Sequence, residues 1–141
     1  MFTPKLKLEH ADSRGEIYSI ELPDGHELML IHSTAGAFRG GHSRSCGERV
    51  LILSGQMIYH LVEKTEVCGP GSVVCHADGV IHMGDFPEDN WLVEYKLAKK
   101  GEWTQEDYEP YRERVRASQG TVPAGQDPHP SERSQLWPGG D

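Results

Sequence analysis

The sequence has no apolar run near the ~20 residues that cross a bilayer as a helix, so no membrane anchor is expected. Its first stretch, Met1 to Lys7, lacks the apolar segment of a secretory signal, and a cytoplasmic location is expected. Cysteine is scarce. Cys46, Cys68 and Cys75 cannot all pair, and none belongs to a Cys-x-x-Cys pair. That argues against a disulfide framework and a structural zinc knuckle, and for reduced thiols. Positive charge is also short. Lys and Arg number 14 against 22 Asp and Glu, a formal net charge of −8. A protein whose main task is holding nucleic acid usually carries a basic stripe, so no nucleic-acid partner and no membrane partner are expected.

What is abundant is glycine, at 16, with 9 prolines. Tight turns between many short elements use these residues; a helical bundle does not. The 141 residues suffice for one domain with one core.

Short β-like runs follow one another. Glu16 to Leu22 alternates, with Ile17, Ser19 and Glu21 on one face and Tyr18, Ile20 and Leu22 on the other. Pro23-Asp24-Gly25 turns the chain, and Glu27 to His32 is the next run. A glycine-rich stretch, Gly36 to Gly47, contains Phe38, Arg39 and His42. Val50 to Leu53 is continuously apolar, as a strand buried on both faces would be. Met57 to Val62, Ser72 to His76 and Trp91 to Leu97 complete the runs, with turns at Ser54-Gly55, Cys68 to Gly71 and Asp78-Gly79. This spacing predicts an all-β sandwich or barrel of about seven or eight strands.

After Lys100 the character changes. The spacing predicts a turn at 104–108 and a helix at 110–117, with Pro110 in its first turn. From Ser118 the chain holds four prolines and four glycines in 24 residues, which predicts a disordered tail at 118–141. Leu136 and Trp137 are its large apolar exceptions. The expected organisation is a barrel at 1–100, a short helical extension at 101–117, and the tail.

Two spacings carry a resemblance. Gly36, five residues, His42-Ser43-Arg44, three residues, Glu48, six residues and Gly55 match the first motif of the cupin superfamily. Arg44 stands where that motif has a second histidine. Gly71, five residues, Ala77-Asp78-Gly79, two residues and His82 match the second motif, with Ala77 in place of its proline and Phe86 in place of its asparagine. The chain thus resembles an RmlC-like cupin over about residues 36–86. The resemblance implies a double-stranded β-helix, or jelly-roll barrel, with a short C-terminal helix. It also implies His42, Glu48 and His82 as ligands of a divalent transition metal: Fe, Mn, Ni or Zn. Two imidazoles and a carboxylate suit such ions and leave coordination positions open. His32, Cys46, His60 and His76 are spare candidates. His76 is the best placed, since it ends a predicted strand just before the second motif's turn. The family resemblance further implies a homodimer.

Arg44 cannot ligate a metal. It either clamps an anionic substrate or pairs with Glu48. A second likeness concerns Asp12-Ser13-Arg14-Gly15 and Arg39-Gly40-Gly41-His42, which resemble the cupin 3,4-ketoisomerases and epimerases of nucleotide-linked sugars. It implies His42 as a catalytic acid/base, with Arg39 or Arg44 holding phosphate. Arg39, Arg44 and Arg49 make residues 39–49 locally positive, which fits binding of a small anionic ligand. The residues of 12–15 are equally readable as a surface turn with a local Asp–Arg pair. Three functions remain open: a metal-dependent enzyme, an oxygenase or isomerase, acting through His42 and Arg44; a metal-free sugar isomerase or epimerase; and a non-catalytic ligand-binding barrel.

Overall fold

Alternating side chains with tight glycine turns fold into two facing antiparallel sheets. The computed structural model describes residues 5–119. The predicted tail lies outside them from Gly120 on, Leu136 and Trp137 included. One sheet has six strands in the order β1 (Lys7–Asp12), β2 (Gly15–Glu21), β3 (Glu27–Ser33), β10 (Asn90–Lys96), β5 (Glu48–Ser54) and β8 (Val73–His76). The other has five, in the order β11 (Gln105–Asp107), β4 (Phe38–Arg44), β9 (His82–Asp85), β6 (Met57–Leu61) and β7 (Thr65–Cys68). One helix, α1 (Glu109–Gln119), follows. This is a jelly-roll barrel with a short C-terminal helix, as the sequence predicts.

The core fills the space between the sheets. Ile17, Ile31, Val50, Ile52, Met57, Phe86 and Leu92 are buried there together. On β2 the inward face is that of Ile17 and Ser19, while Tyr18 and Ile20 lie half-buried on the outer face.

Three expectations need correction. Val50 to Leu53 is not buried on both faces. Val50 and Ile52 point inward, whereas Leu51 and Leu53 are exposed, because no layer among the described residues covers that sheet. Residues 104–108 are not simply a turn: Gln105 to Asp107 form β11, which pairs with Arg44, Ser43 and His42. The extension is therefore partly a barrel strand, so its boundary with the barrel is not a clean one at Lys100. The glycine-rich stretch is itself strand β4.

Glycine is needed in β4. A bulge falls between Gly40 and His42. Gly41 has φ +80°, and a Cβ there would collide with the Arg112 side chain of α1. Arg112 Nε donates to the Gly40 carbonyl at 2.8 Å. Around it, Tyr111 and Val115 pack on Phe38 and Met83. The helix thus braces the outer face of the strand whose inner face carries His42 and Arg44.

Candidate metal centre

Strand register gathers polar side chains at one end of the barrel interior. On β10 the inward positions run from Asn90 and Leu92 to Glu94 and Lys96. On β5 they run from Ile52 and Val50 back to Glu48. Lys96 pairs with Glu48, and Glu48 pairs with His76 of β8. Across the barrel, His42 of β4 pairs with His82 of β9.

Among the described residues, one group of His, Cys, Asp and Glu side chains lies close enough to share an ion. It is Glu48, His76 and His82, whose ligand atoms lie within 4.8 Å of one another. Two members, Glu48 and His82, are predicted ligands. The third is the spare histidine, His76. His42 lies outside the group, with its ring edge-on to His82 at 4.8 Å between centroids. It stands on the next strand, so it flanks the set.

Hydrogen bonds orient both imidazoles of this group. His82 Nδ1 lies 3.0 Å from the Val80 carbonyl, and His76 Nδ1 lies 3.3 Å from the Ala77 carbonyl. A carbonyl only accepts, so each Nδ1 carries the proton and each Nε2 keeps its lone pair. His76 Nε2 faces Glu48 Oε2 at 3.8 Å, and neither atom has a hydrogen-bond partner among the described residues. Two ligand atoms of one tetrahedral zinc-sized ion, with bonds of about 2.1 Å, stand about 3.4 Å apart. The observed gap fits an ion between them.

The electrostatics agree. Burial drives His82 down to about 3, helped by His76 and Arg44. Burial likewise lowers His76, and it lowers His42 well below the usual imidazole range with Arg44 adding to it. All three are neutral at pH 7, the form that ligates metal or accepts a proton. The Tyr59 phenol, held protonated mainly by burial, stacks near His76 and His82 at 6.2 and 6.0 Å. Its hydroxyl has no hydrogen-bond partner among the described residues.

Arg44 takes the role of Glu48's partner. Its Nη1 donates to Glu48 Oε1 at 2.6 Å, and both side chains are fully buried. It also reaches Glu94 Oε1 at 3.5 Å, donates through Nε to Gln105 Oε1 at 3.2 Å, and lies over the Trp103 ring. Lys96 donates to Glu94 at 2.6 Å and lies over the same ring. For Glu94 burial pushes the pKa upward, but Lys96 and Arg44 outweigh it and hold the carboxyl low. Glu48 is raised, by burial first and by Glu94 second. One Glu48 oxygen is thus fixed by Arg44 while the other is turned to the histidines.

The remaining predicted residues are dispersed. Arg39 lines the interior, with Nε on Ser33 Oγ at 2.8 Å and Nη2 on the His32 carbonyl at 3.2 Å, toward the opposite end of the barrel. Arg49 is exposed, because it alternates with inward Glu48 and Val50; its expected role beside the site is corrected on that ground. Arg14 is gripped by Asp12 in the β1–β2 hairpin, so residues 12–15 form a local ion pair in a turn. Glu94, Lys96 and Trp103 were missed. Their sequence signal was weak: two charges at alternate positions in a late, otherwise apolar strand. The interior cavity beside Glu48, His82, His42 and Glu94 measures about 40 Å³.

No protein-family model matches the sequence, and no curated protein matches it. Solved structures do match the fold. The capsular polysaccharide assembling protein CapF from Staphylococcus aureus is 18% identical, with TM-score 0.56; the match covers 70% of this chain and 30% of that one. An RmlC-like cupin from Shewanella frigidimarina is 13% identical, with TM-score 0.60, covering 68% and 87%. A salicylate 1,2-dioxygenase variant from Pseudoaminobacter salicylatoxidans, in complex with gentisate, is 10% identical, with TM-score 0.58, covering 62% and 25%. The chain spans less than a third of that CapF structure and about a quarter of the dioxygenase. The likeness is one of fold: this chain has a jelly-roll barrel like that of these structures, the RmlC-like cupin among them.

Proposed function

We propose that this protein is a metal-dependent small-molecule cupin, in which Glu48, His76 and His82 hold one divalent transition ion. The observation that carries this reading is the pair of atoms Glu48 Oε2 and His76 Nε2, without hydrogen-bond partners among the described residues and facing each other at 3.8 Å beside His82. Buried polar atoms normally have partners, and an ion supplies one to both. When bound, the ion would polarise an oxygen ligand as a Lewis acid.

The chain's own residues define the rest. Neutral His42, next to His82 in the cavity wall, is positioned to accept a proton from the substrate. The Tyr59 hydroxyl donates to a substrate oxygen. Arg44 orients Glu48 and acts as a positioning residue. Arg44 and Lys96 balance Glu48 and Glu94, so a divalent ion adds two positive charges to a buried site. An anionic substrate offsets them. The cavity of about 40 Å³ has room for only a few water-sized groups, so a nucleotide-linked sugar does not fit inside it. One structural neighbour holds gentisate, a carboxylate, so small carboxylates are the first to screen.

Elemental mass spectrometry on untagged protein tests this. Near one metal per chain is expected, lost in His76→Ala and His82→Ala and kept in His42→Ala. No metal after purification, and no heat on titration with Fe(II), Mn(II), Ni(II) or Zn(II), would overturn it. That result would favour the non-catalytic barrel, for which the 2.6 Å Arg44–Glu48 bond speaks.

A further inference from the structure

The interior cavity beside Glu48 and His82 measures about 40 Å³, whereas a site that buries a whole small molecule takes roughly 300–1,000 Å³. A substrate held at the metal centre therefore keeps most of its atoms outside that cavity. The same end of the barrel offers a place for them. Residues 61–64, between β6 and β7, and residues 79–81, between β8 and β9, enclose a cleft of about 350 Å³. Four aliphatic side chains line it: Leu61, Val62, Val80 and Ile81. Leu61 pairs with His82 and also packs against the core between the sheets, so it stands at the border of the two spaces. The β8–β9 loop is tied to the metal set at three points. It runs from His76 to His82, with the Ala77 carbonyl at His76 Nδ1 and the Val80 carbonyl at His82 Nδ1. Between them, the Gly79 N–H donates to the Arg44 carbonyl at 2.8 Å. One loop thus holds both imidazoles and walls the cleft.

We infer that this cleft is the subsite for the hydrocarbon body of the substrate, a small carboxylate whose head group reaches the metal centre past Leu61. The inference rests on the metal-dependent reading above and adds to it the other half of the ligand. Aliphatic walls recognise hydrocarbon by the area they remove from water. A polyol lying on the same four side chains would leave its hydroxyls unpaired. Lys64 at the rim is already paired with Glu66 at 2.7 Å. The negative head is therefore drawn inward, to the charge that an ion adds beside Glu48, while the apolar body stays where no buried charge faces it.

Titration calorimetry of the Zn(II)-loaded full chain with acetate, isovalerate and benzoate tests the cleft. Isovalerate and benzoate should bind at least ~10-fold more tightly than acetate. Val62 is 62% exposed and lies outside the metal set, so Val62→Asp should erase that preference while acetate binding and metal content stay unchanged. Val67, 69% exposed on β7 and outside the cleft, is the control. Val67→Asp adds the same charge and should keep the preference. Equal affinity for all the acids overturns the inference. So does a preference that survives Val62→Asp, or one that Val67→Asp removes as well. Benzoate binding as tightly after a chelator strips the metal would place the head group on Lys64, and that too overturns it. Elemental mass spectrometry reads the metal separately. A loaded chain without the preference fails the cleft alone; a chain that takes up no metal fails the metal centre and this inference with it.

Discussion

The two halves of the barrel interior are built on the same strands and held by different physics. In one half, Ile31, Val50, Ile52 and Leu92 exclude water and pack. In the other, Glu48, Glu94 and Lys96 a few residues along β5 and β10, together with Arg44 from β4, are equally buried but polar, and their hydrogen-bonded partners hold them there. The apolar half tolerates local loss because its contacts are many and non-directional. The polar half is a closed set, and removing one charge leaves another buried alone. The difference teaches why the site can be preorganised: the apolar half fixes the strands, and the strand register then sets the ions.

The strongest way to break this contrast is Glu94→Ala, which takes from buried Lys96 its carboxylate partner at 2.6 Å. It should destabilise by roughly 3–5 kcal/mol in urea unfolding. Ile52→Ala, at a fully buried position in the apolar half, should cost roughly 2–5 kcal/mol and leave metal content unchanged. If Ile52→Ala abolished metal binding, the two halves would not be separable. Metal sharpens the comparison next. A bound ion at about 100 times its Kd should stabilise the wild type by about 2.7 kcal/mol, read as a rise in Tm reversed by chelator, and His82→Ala should abolish the rise.

Acid acts on the polar half, and within it with two signs. His42, His76 and His82 have lowered pKa values in the fold, so below about 6.5 the unfolded chain takes up protons that the folded chain refuses. Stability should fall as pH drops from 6.5 toward 3, by up to about 1.4 kcal/mol per pH unit for each histidine. Glu48 acts oppositely: its raised pKa favours the protonated fold, so its contribution declines as pH rises above 4.5. Denaturant midpoints across pH 4–7 for wild type and His82→Gln would check the balance, with a shallower slope expected in the variant. The smallest effect belongs to Arg49→Ala. It is exposed on the outer sheet face and should change stability by less than about 0.5 kcal/mol and metal content not at all.

Glu48 and His82 were legible in the sequence because the motif spacing matches strand lengths and turns. His76 was legible only as a spare, since a histidine at a strand end is usually packed or solvated. Glu94 and Lys96 carried only a weak local signal, because their partners Arg44 and Trp103 arrive from other parts of the chain. Arg49 misled for the opposite reason: closeness in sequence to Glu48 placed it on the other face, as strand alternation demands.

By itself the sequence determined the class of fold, the order of most strands and the short helix after them. Period-two alternation and glycine turns are local signals, and local signals survive without coordinates. The tertiary structure alone decided which histidine lies beside Glu48 and His82, that Arg44 donates to Glu48, and which apolar faces stay uncovered among the described residues. Those depend on pairing between strands distant in the chain, and that register is fixed only when the two sheets close on one core.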